Sequence, residues 1–276
     1  MAREMLVHFP DRLAALSHAE ACLLMATGHL DEAVGVMQRV VDNGRWWSTR
    51  QLFDPDLRPL QRYPAYGELA AVMQNAETEA RASAVAGAAD LRSLPPVGTP
   101  SCCVVVAHMA AVGGRETAEI WQPVTKAGIA VVVVESAMRN GDGQPSWDDP
   151  ELAERDVRSG LDQTLVFGAP VVLAGGSQGA GVAARLALGG VAADLAGFIC
   201  VVGAPWPGSW TARNAVPGLL VVGGADDLTS GTQRKFAREA GELGLEVDLV
   251  EIAHLDHRYP DDWGTLAPEL LARWLG

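Results

Sequence analysis

The chain has 276 residues, enough for one large or two modest domains, and 49% of them are hydrophobic, ample for a buried core. Its 21 basic and 34 acidic residues give a net charge of −13, which argues against a nucleic-acid or anionic-membrane surface partner. The start, Met1 to Pro10, is broken by charge and proline before an apolar signal core can form, and the apolar runs are too short to span a bilayer, so a cytoplasmic protein is expected.

Leu13, Leu16, Ala19 and Leu23 lead at helical spacing to Gly28, and Leu30, Ala33, Val34, Met37, Val40 and Val41 continue the pattern to Asn43-Gly44. This helix pair resembles a single tetratricopeptide unit, with Gly28 at the turn and Ala33 between the helices. One such unit cannot bury both of its faces, so it is expected to dock on a neighbouring core and to offer a protein partner a surface. A third helix over 66–85 completes a small bundle whose base Trp46, Trp47, Leu57 and Leu60 fill. Residues 1–92 therefore read as a helical domain. The proline-rich stretch 93–101 reads as a linker, and 102–276 as a second domain.

In that second part, apolar runs at 102–107, 130–135, 171–174, 198–202, 219–222 and 246–252 alternate with helical segments. The pattern predicts an α/β fold, a mostly parallel sheet of about six strands with helices on both faces. Specificity is expected on loops at the carboxyl ends of the strands. Two loops stand out, 138–147 and 203–210: Arg139 could receive a substrate carboxylate, and Trp206 or Trp210 could wall an apolar acyl pocket.

The run at 171–174 ends in Gly175-Gly176-Ser177-Gln178-Gly179, a Gly-x-Ser-x-Gly sequence with a helical segment behind it. A serine at a tight strand-to-helix turn projects its hydroxyl into a cleft, and the helix N-terminus aims its amides and positive dipole end at the reacting centre. Asp226 and Asp227 follow the strand at 219–222. Counting a Gly-x-x-Asp turn from Gly223 selects Asp226, and counting from Gly224 selects Asp227. After the last strand, Ala253-His254-Leu255-Asp256-His257 offers a base on a loop, with His257 preferred and His254 in reserve. The oxyanion site needs the amide of Gln178 and a second one from the turn His108-Met109-Ala110-Ala111-Val112-Gly113-Gly114; Ala110 is the first choice and Met109 the alternative.

Only Lys126 and Lys235 are present, neither near a serine motif, which disfavours a Ser-Lys mechanism. Cys22, Cys102, Cys103 and Cys200 lie in apolar surroundings without metal-ligand spacing and read as buried thiols of a reducing compartment.

Taken in order, His108-Met109, the Ser177 turn, Gly-Gly-Ala-Asp226 and His257-Arg-Tyr-Pro resemble the α/β-hydrolase superfamily, nearest in style to carboxylesterases, thioesterases and dienelactone hydrolases. The resemblance covers roughly 100–276, without the first two strands of the full sheet, and departs from the family at Met109, where the usual pair is His-Gly. It implies a Ser-His-Asp mechanism but does not identify a substrate; the expected reaction is hydrolysis of a small acyl compound at an ester, thioester or lactone carbonyl, which calls for no metal or organic cofactor. Transfer of the acyl group to an acceptor other than water is the alternative reaction. A catalytically idle scaffold, gripping a partner through its helices, is the alternative class.

Overall fold

The computed structural model describes residues 12–275 except 193 and 207, so the stretch read for a targeting signal lies outside the described residues. The chain divides into two compact units: one holds the residues up to Gly87 together with Met138–Gln144, and the other holds Ala88–Ala137 and the chain from Pro145 onward.

The larger unit is built on a seven-stranded sheet. Its strands are β1 (Asp90–Leu94), β2 (Cys102–Ala107), β3 (Ile129–Glu135), β4 (Val171–Gly176), β5 (Leu195–Val201), β6 (Gly218–Gly223) and β7 (Val247–Ile252). They lie in the order β1-β3-β2-β4-β5-β6-β7, and every pairing is parallel except that of β1 with β3. The central strands are runs of β-branched residues buried on both faces, as parallel sheets require. Successive residues alternate between two apolar clusters. Val105, Val132 and Leu173 pack under α6 (Pro150–Thr164), α7 (Gln178–Gly189) and α8 (Ser230–Glu242). Val104, Val131 and Val172 pack under α5 (Gly114–Trp121) and α9 (Trp263–Leu275). Helices therefore cover both faces, and the α/β architecture is the one the alternating runs predict.

The strand β1 corrects the expected count of six. It falls where the helical part was expected to end and the linker to begin, and its sequence, Asp-Leu-Arg-Ser-Leu, carries too few apolar residues to read as a strand. An edge position explains this. Pairing on one side only, with β3, it keeps Asp90 and Arg92 at the surface, where they form an ion pair.

The smaller unit begins with α1 (Leu13–Ala26) and α2 (Leu30–Asp42), joined at Gly28, which has φ 81°, with Ala33 fully buried. A short α3 (Thr49–Leu52) and a long α4 (Pro64–Ala86) follow. Trp46, Trp47, Leu57 and Leu60 are all buried, and the Trp47 indole donates to the Ala14 carbonyl at 2.9 Å. The first turn of α1 has no cap from its own flank. Asp142 supplies it from far along the chain, its carboxylate accepting from the amides of Ala14 and Ala15 at 2.6 and 3.1 Å. Cys22 departs from the expected buried thiol and is half-buried, whereas Cys102, Cys103 and Cys200 are buried; all four are free thiols. Among the described residues no helix is long and apolar enough to cross a membrane.

The segment 138–144 reaches its place only because residue 141 is glycine. A Cβ there would fall 1.6 Å from the Trp46 carbonyl oxygen, a backbone atom with nowhere to go. Gly141→Ala is expected to lower the free energy of unfolding by about 2–3 kcal/mol, measured by urea denaturation.

Candidate active site

Ser177 stands between the end of β4 and the start of α7 at φ 50°, ψ −117°, one of three non-glycine residues with positive φ among those described. Its backbone is held from three directions. The Ser177 amide donates to Val201 at 2.9 Å, and the amides of Ala180 and Gly181 donate to the Ser177 carbonyl at 3.1 and 3.3 Å. Glycines make room for this turn. A Cβ on Gly175 would come within 2.3 Å of the Gly179 backbone, and one on Gly179 within 2.3 Å of the His108 carbonyl oxygen.

The Ser177 hydroxyl lies 2.7 Å from His257 Nε2, and His257 Nδ1 lies 3.0 Å from Asp226 Oδ2. A carboxylate only accepts, so the ring proton sits on Nδ1 and the serine donates to Nε2. Asp226 is 2% exposed and saturated with donors: the amides of Leu228 and Thr229 at 2.9 and 3.2 Å, and the Thr229 hydroxyl. Burial by itself would raise its pKa. The hydrogen bonds from Thr229, His257 and Leu228 and the charge of His257 more than offset that, so the carboxyl titrates below its ordinary 3.8.

Two backbone crossings hold the acid and base loops together. The Ala225 amide donates to Leu255 at 3.0 Å and the Gly224 amide to Ile252 at 2.9 Å. A Cβ on Gly223 or Gly224 would meet the carbonyl oxygens of Leu255 or Ala253 at 2.6 Å, so the glycine pair permits the approach. Asp227 and His254, the reserve candidates, are both exposed and stand outside the hydrogen-bonded line.

The turn after β2 supplies the other half of the site. The Val112 amide closes it onto Met109 at 3.1 Å, with Ala111 at φ 59°, a conformation that a turn of this kind normally gives to glycine. Bonds from outside hold it: Ala111 donates to Pro145 at 3.2 Å, and the Trp147 indole, stacked on His108 at 4.6 Å, donates to the His108 carbonyl at 2.9 Å. His108 Nδ1 donates to Met109 at 2.6 Å while Nε2 accepts from Ser136, which fixes its tautomer. Among the described residues, neither the Met109 nor the Ala110 amide is spent on another group. Gln178 is the first residue of α7, so its amide has no partner within the helix. Its side chain is tied off, accepting from the Trp147 amide at 3.0 Å and donating to Asp148 at 2.9 Å.

The three predicted pocket residues differ in their surroundings. Arg139 is half-buried in the 138–144 segment, which belongs to the smaller unit. Trp206 is 55% exposed, and Trp210 is half-buried against Phe236 in an edge-on contact at 5.0 Å. The sequence reading missed Thr229 and Trp147. An Asp-x-x-Thr spacing, which lets a carboxylate gather the donors of its own turn, signals the first; nothing local signals the second. Burial pushes the Cys102 thiol up to about 12 and the Cys103 thiol to about 11, and raises Cys200 further, so these thiols are protonated at neutral pH and poor nucleophiles.

No family model and no curated protein matches the chain. Solved structures do. An uncharacterized protein from Bacillus cereus is similar over 95% of this chain and 88% of its own, with a TM-score of 0.56 and 18% identity. The Zea mays acyl-protein thioesterase 2 matches over 68% of this chain and 99% of its own, at 0.55 and 17%. An alpha-beta serine hydrolase homologue from Coxiella burnetii matches over 68% and 92%, at 0.52 and 19%. At such identities the likeness is one of fold, and the fold is that of the α/β-hydrolases.

Because the folded pKa of Asp226 lies below its unfolded value, the carboxylate contributes stability that is complete above pH 3.8 and lost as the pH falls through the folded value. The stability difference between wild type and Asp226→Asn is expected to shrink as the pH is lowered below about 3.8. Urea unfolding at a series of pH values checks this.

Proposed function

We propose that this protein is a serine hydrolase that cleaves a carboxylic ester or thioester through an acyl-enzyme. The observation that carries the reading is the unbroken hydrogen-bonded line from the Ser177 hydroxyl through His257 to the buried Asp226. As Ser177 Oγ attacks the substrate carbonyl, His257 Nε2 takes its proton, and Asp226 orients and stabilises the imidazolium. The amides of Gln178 and Ala110, with Met109 as the alternative to Ala110, receive the oxyanion. Collapse of the tetrahedral intermediate expels an alcohol or thiol, which takes the proton from His257. Water, deprotonated by the same imidazole, then attacks the acyl-enzyme and regenerates Ser177.

The strained turns at Ser177 and Ala111 support the assignment, since positive φ at a non-glycine residue costs about 1–3 kcal/mol and collects at functional sites. The names of solved structures with this fold, an acyl-protein thioesterase among them, point to the same bond type. We further read the larger unit, with β1 and without Met138–Gln144, as the catalytic domain in place of the expected 102–276, and the α1–α2 pair as a single tetratricopeptide-like unit.

A fluorophosphonate probe is expected to label Ser177, and labelling to vanish in Ser177→Ala and His257→Ala. On p-nitrophenyl esters of graded chain length, both variants are expected to lose kcat/KM on the order of 10⁴-fold. An unlabelled, folded wild type would instead support the idle scaffold. Product carrying an added alcohol, amine or thiol in place of water would support acyl transfer.

A further inference from the structure

A second cluster of chemically active side chains lies in the helical unit. His18 and Cys22 are one turn apart on α1, a spacing that puts both on the same face, with Cys22 Sγ 3.8 Å from His18 Nε2. Asp54, just beyond α3, brings Oδ2 to 3.7 Å from the same nitrogen, and the Gln51 carbonyl oxygen lies 3.2 Å from it. One donor atom from each of the three side chains falls within 4.8 Å of the others, and all three residues are half-buried.

The donors sit on fixed supports. Asp54 Oδ1 accepts from the Asp56 amide at 2.9 Å, which turns Oδ2 toward the histidine. The His18 ring meets Trp47 edge-on at 5.3 Å, and Trp47 is itself anchored to Ala14. The arrangement is one-sided: a sulfur, a carboxylate and a carbonyl oxygen all face one ring nitrogen. A single N–H satisfies one of them, whereas a divalent cation satisfies all.

Tetrahedral zinc, with bonds of roughly 2.3 Å to sulfur and 2.0–2.1 Å to nitrogen and oxygen, needs ligand atoms about 3.3–3.6 Å apart. The two distances to His18 Nε2, 3.7 and 3.8 Å, are longer by a few tenths, and the Cys22 and Asp54 donor atoms lie within 4.8 Å of one another, so rotation of the Cys22 and Asp54 side chains must bring them together around the ion.

We propose that His18, Cys22 and Asp54 bind a zinc ion that staples α1 to the turn after α3, with the Gln51 carbonyl or a water as fourth ligand. Thiolate with imidazole selects zinc over magnesium or calcium. Binding releases the Cys22 thiol proton to solvent and leaves the imidazole proton on Nδ1; no electron moves.

The full chain, freed of metal by chelator dialysis under reductant, is titrated with zinc against a chromophoric chelator and, separately, with cobalt. The expected result is about one equivalent of zinc bound with submicromolar affinity. A thiolate-to-cobalt charge-transfer band is also expected, lost in Cys22→Ser. His18→Ala and Cys22→Ser are expected to weaken zinc at least about tenfold, with circular dichroism reporting that they fold. Ser177→Ala should bind as wild type, so the outcome is independent of the serine-hydrolase reading. Unchanged zinc affinity in folded Cys22→Ser, or a cobalt spectrum without the thiolate band, would overturn the proposal.

Discussion

Ser177 occupies a backbone conformation that an L-residue enters only at a cost of about 1–3 kcal/mol, and the surrounding main chain is cut away to admit it. Three glycines do the cutting. A side chain at Gly175 or Gly179 would strike the α7 turn or the end of β2, and one at Gly203 would come within 2.2 Å of the Ser177 carbonyl oxygen. The strain is held by hydrogen bonds on both sides of the residue, to Val201 before it and from the first turn of α7 after it. Without that wedge, the serine would continue the direction of β4 and its hydroxyl would leave the reach of His257.

The same device recurs where the acid meets the base. Asp226 and His257 come from separate loops, and a carboxylate and an imidazole hold a line only when their backbones cannot drift apart. Gly223 and Gly224 let the two loops touch main chain to main chain, and the crossing bonds to Ile252 and Leu255 lock them. The carboxylate is then saturated by donors from its own turn and kept charged, so it serves the imidazole as a fixed partner.

How much of this a sequence shows depends on whether the constraint is local. The serine turn is legible because strand, glycines, serine and helix are consecutive, and the preference for Asp226 over Asp227 and for His257 over His254 follows from distance past a strand end. The buried β-branched runs announce the central strands for the same reason. The polar edge strand Asp90–Leu94 is silent because its only pairing, with β3, is remote in the chain. Likewise, no local pattern could reveal that Asp142 caps α1, or that Asp54 faces His18, since in each pair the partners come from different elements.

The loop after β3 shows what happens when local chemistry is read without those remote partners. Its arginine, asparagine, aspartate and tryptophan look like a recognition surface, and on composition alone a specificity role is reasonable. Its residues are spent otherwise. Gly141 passes the Trp46 backbone, Asp142 caps α1 and accepts Arg45 on its carbonyl at 2.7 Å, and Asn140 folds the turn around the amides of Asp142 and Gln144. A few residues on, Pro145 and Trp147 brace the turn that carries Met109 and Ala110. Composition alone therefore overstates the recognition role of a loop whose carboxylate and amide oxygens already accept from the amides around them.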